Sequence, residues 1–206
     1  PAERLTTLQT ALRTAEGPLG DATRAYNYAI RGLELSAGES EVATWIETVE
    51  RLSEVAEAKG EGPARWKETC EIYQLIVDDV LDGDVQQSLR LRVGELARRK
   101  LGDRPLAVSE YKKALEARSD DRRALVALDE LYEEGNEPTS LLAILKLRVE
   151  NAEGDDEKKA LLFRQAELQK GPLADAPGAI QTYEAILDIA LEAKAISALE
   201  GLYRDA

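Results

Sequence analysis

The side chains with most chemistry to offer are 40 acids and 27 bases, beside one thiol, Cys70, and no histidine. Without histidine there is no Ser–His or Cys–His nucleophile, no imidazole acid–base group and no imidazole metal ligand. A single cysteine leaves a structural zinc site short of ligands. The stretch DDVLDGD at Asp78–Asp84 resembles the opening of a calcium loop. Its third position is Val80 and its twelfth is Leu89, where oxygen ligands are needed. Asp84 and Asp156 recur at one register before a helix, which reads as an N-cap. GEGPAR at Gly60–Arg65 lacks the third glycine of a dinucleotide fingerprint, and no P-loop pattern is present. Paired carboxylates for glycoside hydrolysis would need aromatic platforms, and aromatics are only 5% of the chain. The expectation is a protein that is not an enzyme, with no catalytic, cofactor-binding or metal site.

The densest basic grouping is LRLRVGELARRK at Leu89–Lys100, which sets Arg92, Glu95, Arg98 and Arg99 within about two helical turns. Seventy-two residues later Arg164, Glu167 and Lys170 echo it. On a solvated helix such residues make i,i+3 pairs of a few tenths of a kcal/mol, about 0.2–0.5 each.

The elements that carry these groups follow from a repeat. LGDRPLAVSEYKKALE at Leu101–Glu116 returns as LADAPGAIQTYEAILD at Leu173–Asp188, and an older copy stands at Leu19–Glu34. Within a copy, Ala107, Tyr111 and Ala114 lie at i, i+4 and i+7, one face of a helix. Asp103 suits an N-cap with Pro105 inside the first turn; Ser119–Asp121 and Gly135–Pro138 mark further helix boundaries. No segment alternates apolar and polar residues with β-branched enrichment. The spacing predicts an all-α chain with helices near 3–15, 21–36, 40–58, 63–80, 84–100, 104–118, 121–134, 138–151, 156–170, 176–189 and 193–204. Short connections pair them as antiparallel hairpins near 3–36, 40–80, 84–118, 121–151 and 156–189, plus a terminal half-hairpin at 193–204. Such units bury their apolar stripes only by stacking, so an α-solenoid over 1–206 is expected. Tyr111, Tyr132, Tyr183 and Tyr203 are read as packing residues, with Trp45, Trp66 and Cys70 in the core.

These words resemble the tetratricopeptide repeat family. Ala107, Tyr111 and Ala114 stand where its second helix carries Ala-x3-aromatic-x2-Ala, Val93-Gly94 where its first helix carries a large–small pair, and Gly102-Asp103 at its turn. One extra residue separates Gly94 from Gly102, and Ala166 takes the place of the small glycine in the next period. The resemblance implies a right-handed superhelix whose first helices line a concave, peptide-gripping face. On that face Leu91, Arg92, Glu95, Arg98 and Arg99 would form part of a groove continued by Phe163, Arg164, Glu167 and Lys170.

The expected role is a scaffold that binds a protein or peptide segment or assembles a complex. The alternative is a structural spacer or self-assembling arm of a larger protein. A net charge of −13 opposes nucleic acid and anionic membranes. The longest apolar runs fall far short of the roughly 20 residues a bilayer needs. One cysteine fits a reducing compartment such as the cytoplasm. A start at Pro1 with no methionine suggests a piece of a longer chain, and an excess of arginine over lysine suggests a GC-rich bacterial genome. The last helix has no partner after it, so an apolar stripe at Ala195, Leu199 and Leu202 is expected to be exposed and open to self-association.

Overall fold

The computed structural model describes residues 2–205, and among them there are eleven α-helices and no strand. They are α1 Ala2–Glu16, α2 Ala22–Ser36, α3 Val42–Ala58, α4 Gly62–Ile76, α5 Gly83–Leu96 and α6 Arg104–Ala117, then α7 Arg122–Glu134, α8 Pro138–Glu150, α9 Asp155–Lys170, α10 Ala176–Ile189 and α11 Ala193–Asp205. The expected all-α class is therefore met, helix for helix. Two ends differ. The run expected to reach 80 stops at Ile76 and tightens into a 3-10 turn, Val77–Asp79. The run expected to reach 100 stops at Leu96 and widens into a π turn, Ala97–Leu101, which absorbs the extra residue between Gly94 and Gly102.

Each helix pair closes on one residue in the left-handed region: Gly20, Gly60, Gly102, Asn136 and Ala174, with φ of 60, 86, 65, 51 and 50°. An acid comes directly after each, and its backbone N–H turns back to the helix just ended. Asp21 donates to the Ala15 carbonyl at 2.8 Å, Asp103 to Ala97 at 2.8 Å and Asp175 to Gln169 at 2.7 Å. Those bonds satisfy carbonyls a helix end leaves open. The same three aspartates cap the next helix, accepting from the N–H groups of Arg24, Leu106 and Gly178 at 2.9–3.0 Å. Asp121 caps α7 as expected. The expected caps at Asp84 and Asp156 are corrected. Asp82 caps α5, Gly154 precedes α9 at φ 100°, and the two aspartates fall in the first turns.

The chain divides into two compact units, Pro1–Ala117 and Arg118–Ala206. In the first, α1–α6 pack consecutively around Tyr26, Leu33, Trp45, Val49, Tyr73 and Leu89. Partners run antiparallel: Ser53 meets Thr69, and, farther back along α3, Ile46 meets Tyr73, farther forward along α4. Three buried hydroxyls, Tyr26–Thr69–Ser53 at 2.9 and 2.8 Å, join α2, α3 and α4, so their polarity is satisfied inside the core. Successive first helices lie side by side and run the same way, since Glu50 and Glu57 of α3 meet Arg92 and Lys100, 42 and 43 residues on.

In the second unit α7–α11 also pack consecutively. Arg122 and Asp129 of α7 both reach α9 at a separation of 35 residues, through Glu157 and Arg164. The terminal-helix expectation is corrected: Ala195, Leu199 and Leu202 are buried with Tyr183 and Ile186 of α10. One face of α11 suffices to cover itself on α10. Trp45, Trp66, Cys70, Tyr111, Tyr132 and Tyr183 are buried as expected, whereas Tyr203 is 57% exposed and donates only to Glu184 at 2.9 Å.

Candidate functional site

The basic grouping runs from α5 into the π turn, with Arg92 before the turn and Arg98, Arg99 and Lys100 within it. An α-helix advances about 100° per residue, so one extra residue in a turn rotates every later side chain about the axis. Arg99 folds back on Glu95 at 2.6 Å. Lys100 crosses to Glu57 on α3 at 2.6 Å, with its ammonium 5.0 Å above the Trp66 ring. The hydrogen bond from Lys100 holds the Glu57 carboxyl below its ordinary range. Arg92 is ion-paired with Glu50; burial opposes its charge, and the Glu50 carboxylate raises its pKa nonetheless. Glu95 also accepts from the Tyr111 hydroxyl at 3.1 Å. Arg98 is half-buried near Tyr111, whose phenol burial pushes up, with Glu95 adding to the rise. Leu91, 6% exposed, belongs to the core and offers little to a ligand.

The echo in the second unit is built alike. Arg164 grips Asp129 with both ends of its fork, at 2.7 and 2.8 Å, and reaches Glu133 at 3.1 Å. Asp129, whose side chain is 2% exposed, also receives Arg148 from α8, so one buried carboxylate ties three helices. Those Asp129 hydrogen bonds raise the Arg164 pKa against the cost of burial. Arg92 and Arg164 therefore spend their forks on neighbouring first helices. The acids that hold Arg92, Lys100 and Arg164, namely Glu50, Glu57 and Asp129, carry no motif; their signal was spacing, 35 to 43 residues ahead of a base.

Phe163, Glu167 and Lys194 are arranged differently. Phe163 stands edge-on to Tyr183, ring centres 6.3 Å apart, and the Lys194 ammonium lies 5.0 Å over its ring. Lys194 approaches Glu167 at 3.8 Å, and Glu167 accepts from the Tyr183 hydroxyl at 2.9 Å. Around them opens a groove of about 410 Å³, floored by Leu141, Leu145, Leu168 and Pro172 and rimmed by Glu133, Arg164, Glu167 and Lys194. Lys170 is exposed at the end of α9, outside that lining. The two halves of the expected site lie in different units. The structure brings Phe163, Arg164 and Glu167 into one groove; in the first unit Leu91 is buried, Arg92 is paired with Glu50, and Arg99, on the π turn, is exposed and paired with Glu95.

No family model and no curated protein matches the chain. Among solved structures it is similar to one described as "DHF119 filament", at 18% identity over 92% of this chain and 96% of that one, with a TM-score of 0.37. It is also similar to the de novo designed helical repeat protein DHR64, at 18% identity over 100% of this chain and 93% of that one, with a TM-score of 0.25. Among the described residues no helix is long and apolar enough to cross a membrane.

Proposed function

We propose that the chain is a protein-interaction module, a tetratricopeptide-like helical-repeat surface that holds a segment of a partner protein and performs no catalysis. The observation that carries this reading is the α7–α11 groove, where Phe163 stands half-buried above an apolar floor beside the exposed ammonium of Lys194. An aromatic anchor in a partly desolvated slot, ringed by charges of both signs, suits an apolar side chain on an extended or helical peptide. The stacked first helices give such a segment more than one place to touch.

Peptides selected from a random displayed library on the intact chain test the reading. Phe163→Ala and Lys194→Glu should each weaken the selected peptides about tenfold or more. Peptides that bind both variants as tightly as the parent would remove this groove as the site.

A further inference from the structure

The first helix pair carries an open groove of about 570 Å³ between the start of α1 and the end of α2. Leu8 and Leu35 lie along it, and Leu35 is 41% exposed. Glu3 and Arg4 rim it on α1, Arg31 and Glu34 on α2, so each bank carries one charge of either sign. Among the described residues none of these four makes an ion pair. By contrast, Arg51 reaches across to Glu16 at 2.7 Å, Arg90 to Asp78 at 2.7 Å and Arg92 to Glu50, each on a neighbouring element of the same unit.

We propose that this face is an interface between two copies of the chain, paired about a twofold axis that runs along the groove. Such an axis sets α1 of each copy against α2 of the other at the same height. Each Arg4 then meets a Glu34, each Glu3 comes beside an Arg31, and Leu8 and Leu35 of both copies close the middle. Charge complementarity carries the choice of occupant. Two cations and two anions without partners call for a surface with the reverse arrangement, and the axis turns the face itself into that surface. The four charges cancel, so the repulsion opposing the pair comes from acids elsewhere in a chain of net charge −13. Salt at about 0.15 M screens those beyond about 8 Å. Two helices of 15 residues side by side offer about 22 by 20 Å, so two copies bury roughly 900 Å² in all. That is the size of a weak, reversible pair and not of an obligate dimer. The face lies in the other unit from the Phe163 groove, so each stands or falls separately.

The test is sedimentation equilibrium of the intact chain from about 1 to about 500 μM in about 0.15 M salt. A reversible monomer–dimer equilibrium with a Kd on the order of 10–100 μM is expected, with no larger species. Leu35→Gln keeps the charge and removes an apolar contact that the axis repeats, so it should weaken pairing about tenfold. Arg4→Glu and Glu34→Arg should each weaken it about tenfold or more, because each reversal sets like charges together at two places. These two variants move the net charge in opposite directions, so a loss in both belongs to the face and not to overall repulsion. An equimolar mixture of the two should pair within about threefold of the parent, since the reversed charges then meet each other. Phe163→Ala should leave the equilibrium unchanged. A chain that stays monomeric at the highest concentration, growth beyond the dimer, parent-like pairing of Leu35→Gln, or a mixture no tighter than its separate variants would overturn the proposal.

Discussion

Gly102 and Ala174, 72 residues apart in the chain, hold the same left-handed turn at φ 65° and 50°. Only one of them is glycine. A Cβ in that region costs about 1 kcal/mol through its clash with the following carbonyl, less what glycine loses in chain entropy. Space is open around Gly102, so the backbone alone sets the cost there. Ala174→Gly should raise stability by about 0.5 kcal/mol and Gly102→Ala should lower it by about as much, read from urea unfolding. A destabilising Ala174→Gly would show that this turn is not strained.

The shared carboxylate of Asp129 holds Arg148 and Arg164 from two different helices. Removing it leaves a mostly buried guanidinium on α8 without its partner, the situation in which a broken ion pair costs most. Asp129→Ala should cost about 3 kcal/mol, and Arg164→Ala, which removes the more exposed partner, clearly less. Chemical denaturation of both variants checks the order. A reversed order would mean that Asp129 is not the hub.

Two helical glycines face aromatic rings with different freedom. A Cβ at Gly32 would stand 2.3 Å from Cζ3 of the buried Trp45, whereas one at Gly94 would stand 2.8 Å from Cζ of Tyr111. At the place equivalent to Gly94 the next period already carries Ala166, in one cluster with Tyr183. Gly32→Ala should lose about 2 kcal/mol, because overpacking outweighs the helix preference of alanine, and Gly94→Ala should be close to neutral. Thermal melts of the two variants distinguish them.

Burial pushes the Cys70 thiol up to about 11. Its thiolate is therefore scarce at neutral pH and is screened from reagents by the core. Labelling by a thiol-exchange reagent at about pH 8 should run at least about 100-fold slower in the native chain than in denaturant. Similar rates in the two states would contradict the packing of α4.

Because Lys100 holds Glu57 below its ordinary carboxyl range, the pair contributes stability above about pH 4.5 that is lost as the pH falls through the lowered value. Lys100→Met should melt earlier than the parent at pH 6, and the gap should close toward pH 3. A gap that stays constant with pH would assign the loss to Lys100 packing on Trp66 instead.

The helices were legible because apolar residues recur at i, i+4 and i+7 and because Asp103, Pro105 and Asp121 punctuate them. The closing turns were legible where glycine marks them, and Ala174 hid its turn because alanine carries no such signal. Regular helical spacing was expected to run on to residue 100, and the π turn at Ala97–Leu101 breaks it. Arg92 and Arg164 looked available because their acids sit on other helices, dozens of residues away, where no local pattern links them. Phe163 reached a groove because its neighbours Leu141 and Leu145 come from a hairpin whose second helix carries the repeat weakly.

Each pair closes on its own left-handed residue, and the side-chain bonds described between pairs span at most 43 residues. A chain wired over such short sequence distances gathers its native neighbours without long searches, so it would fold quickly and could begin at any pair. Under a stretching force each unit would surrender its hairpins one at a time, shedding length in steps instead of failing all at once.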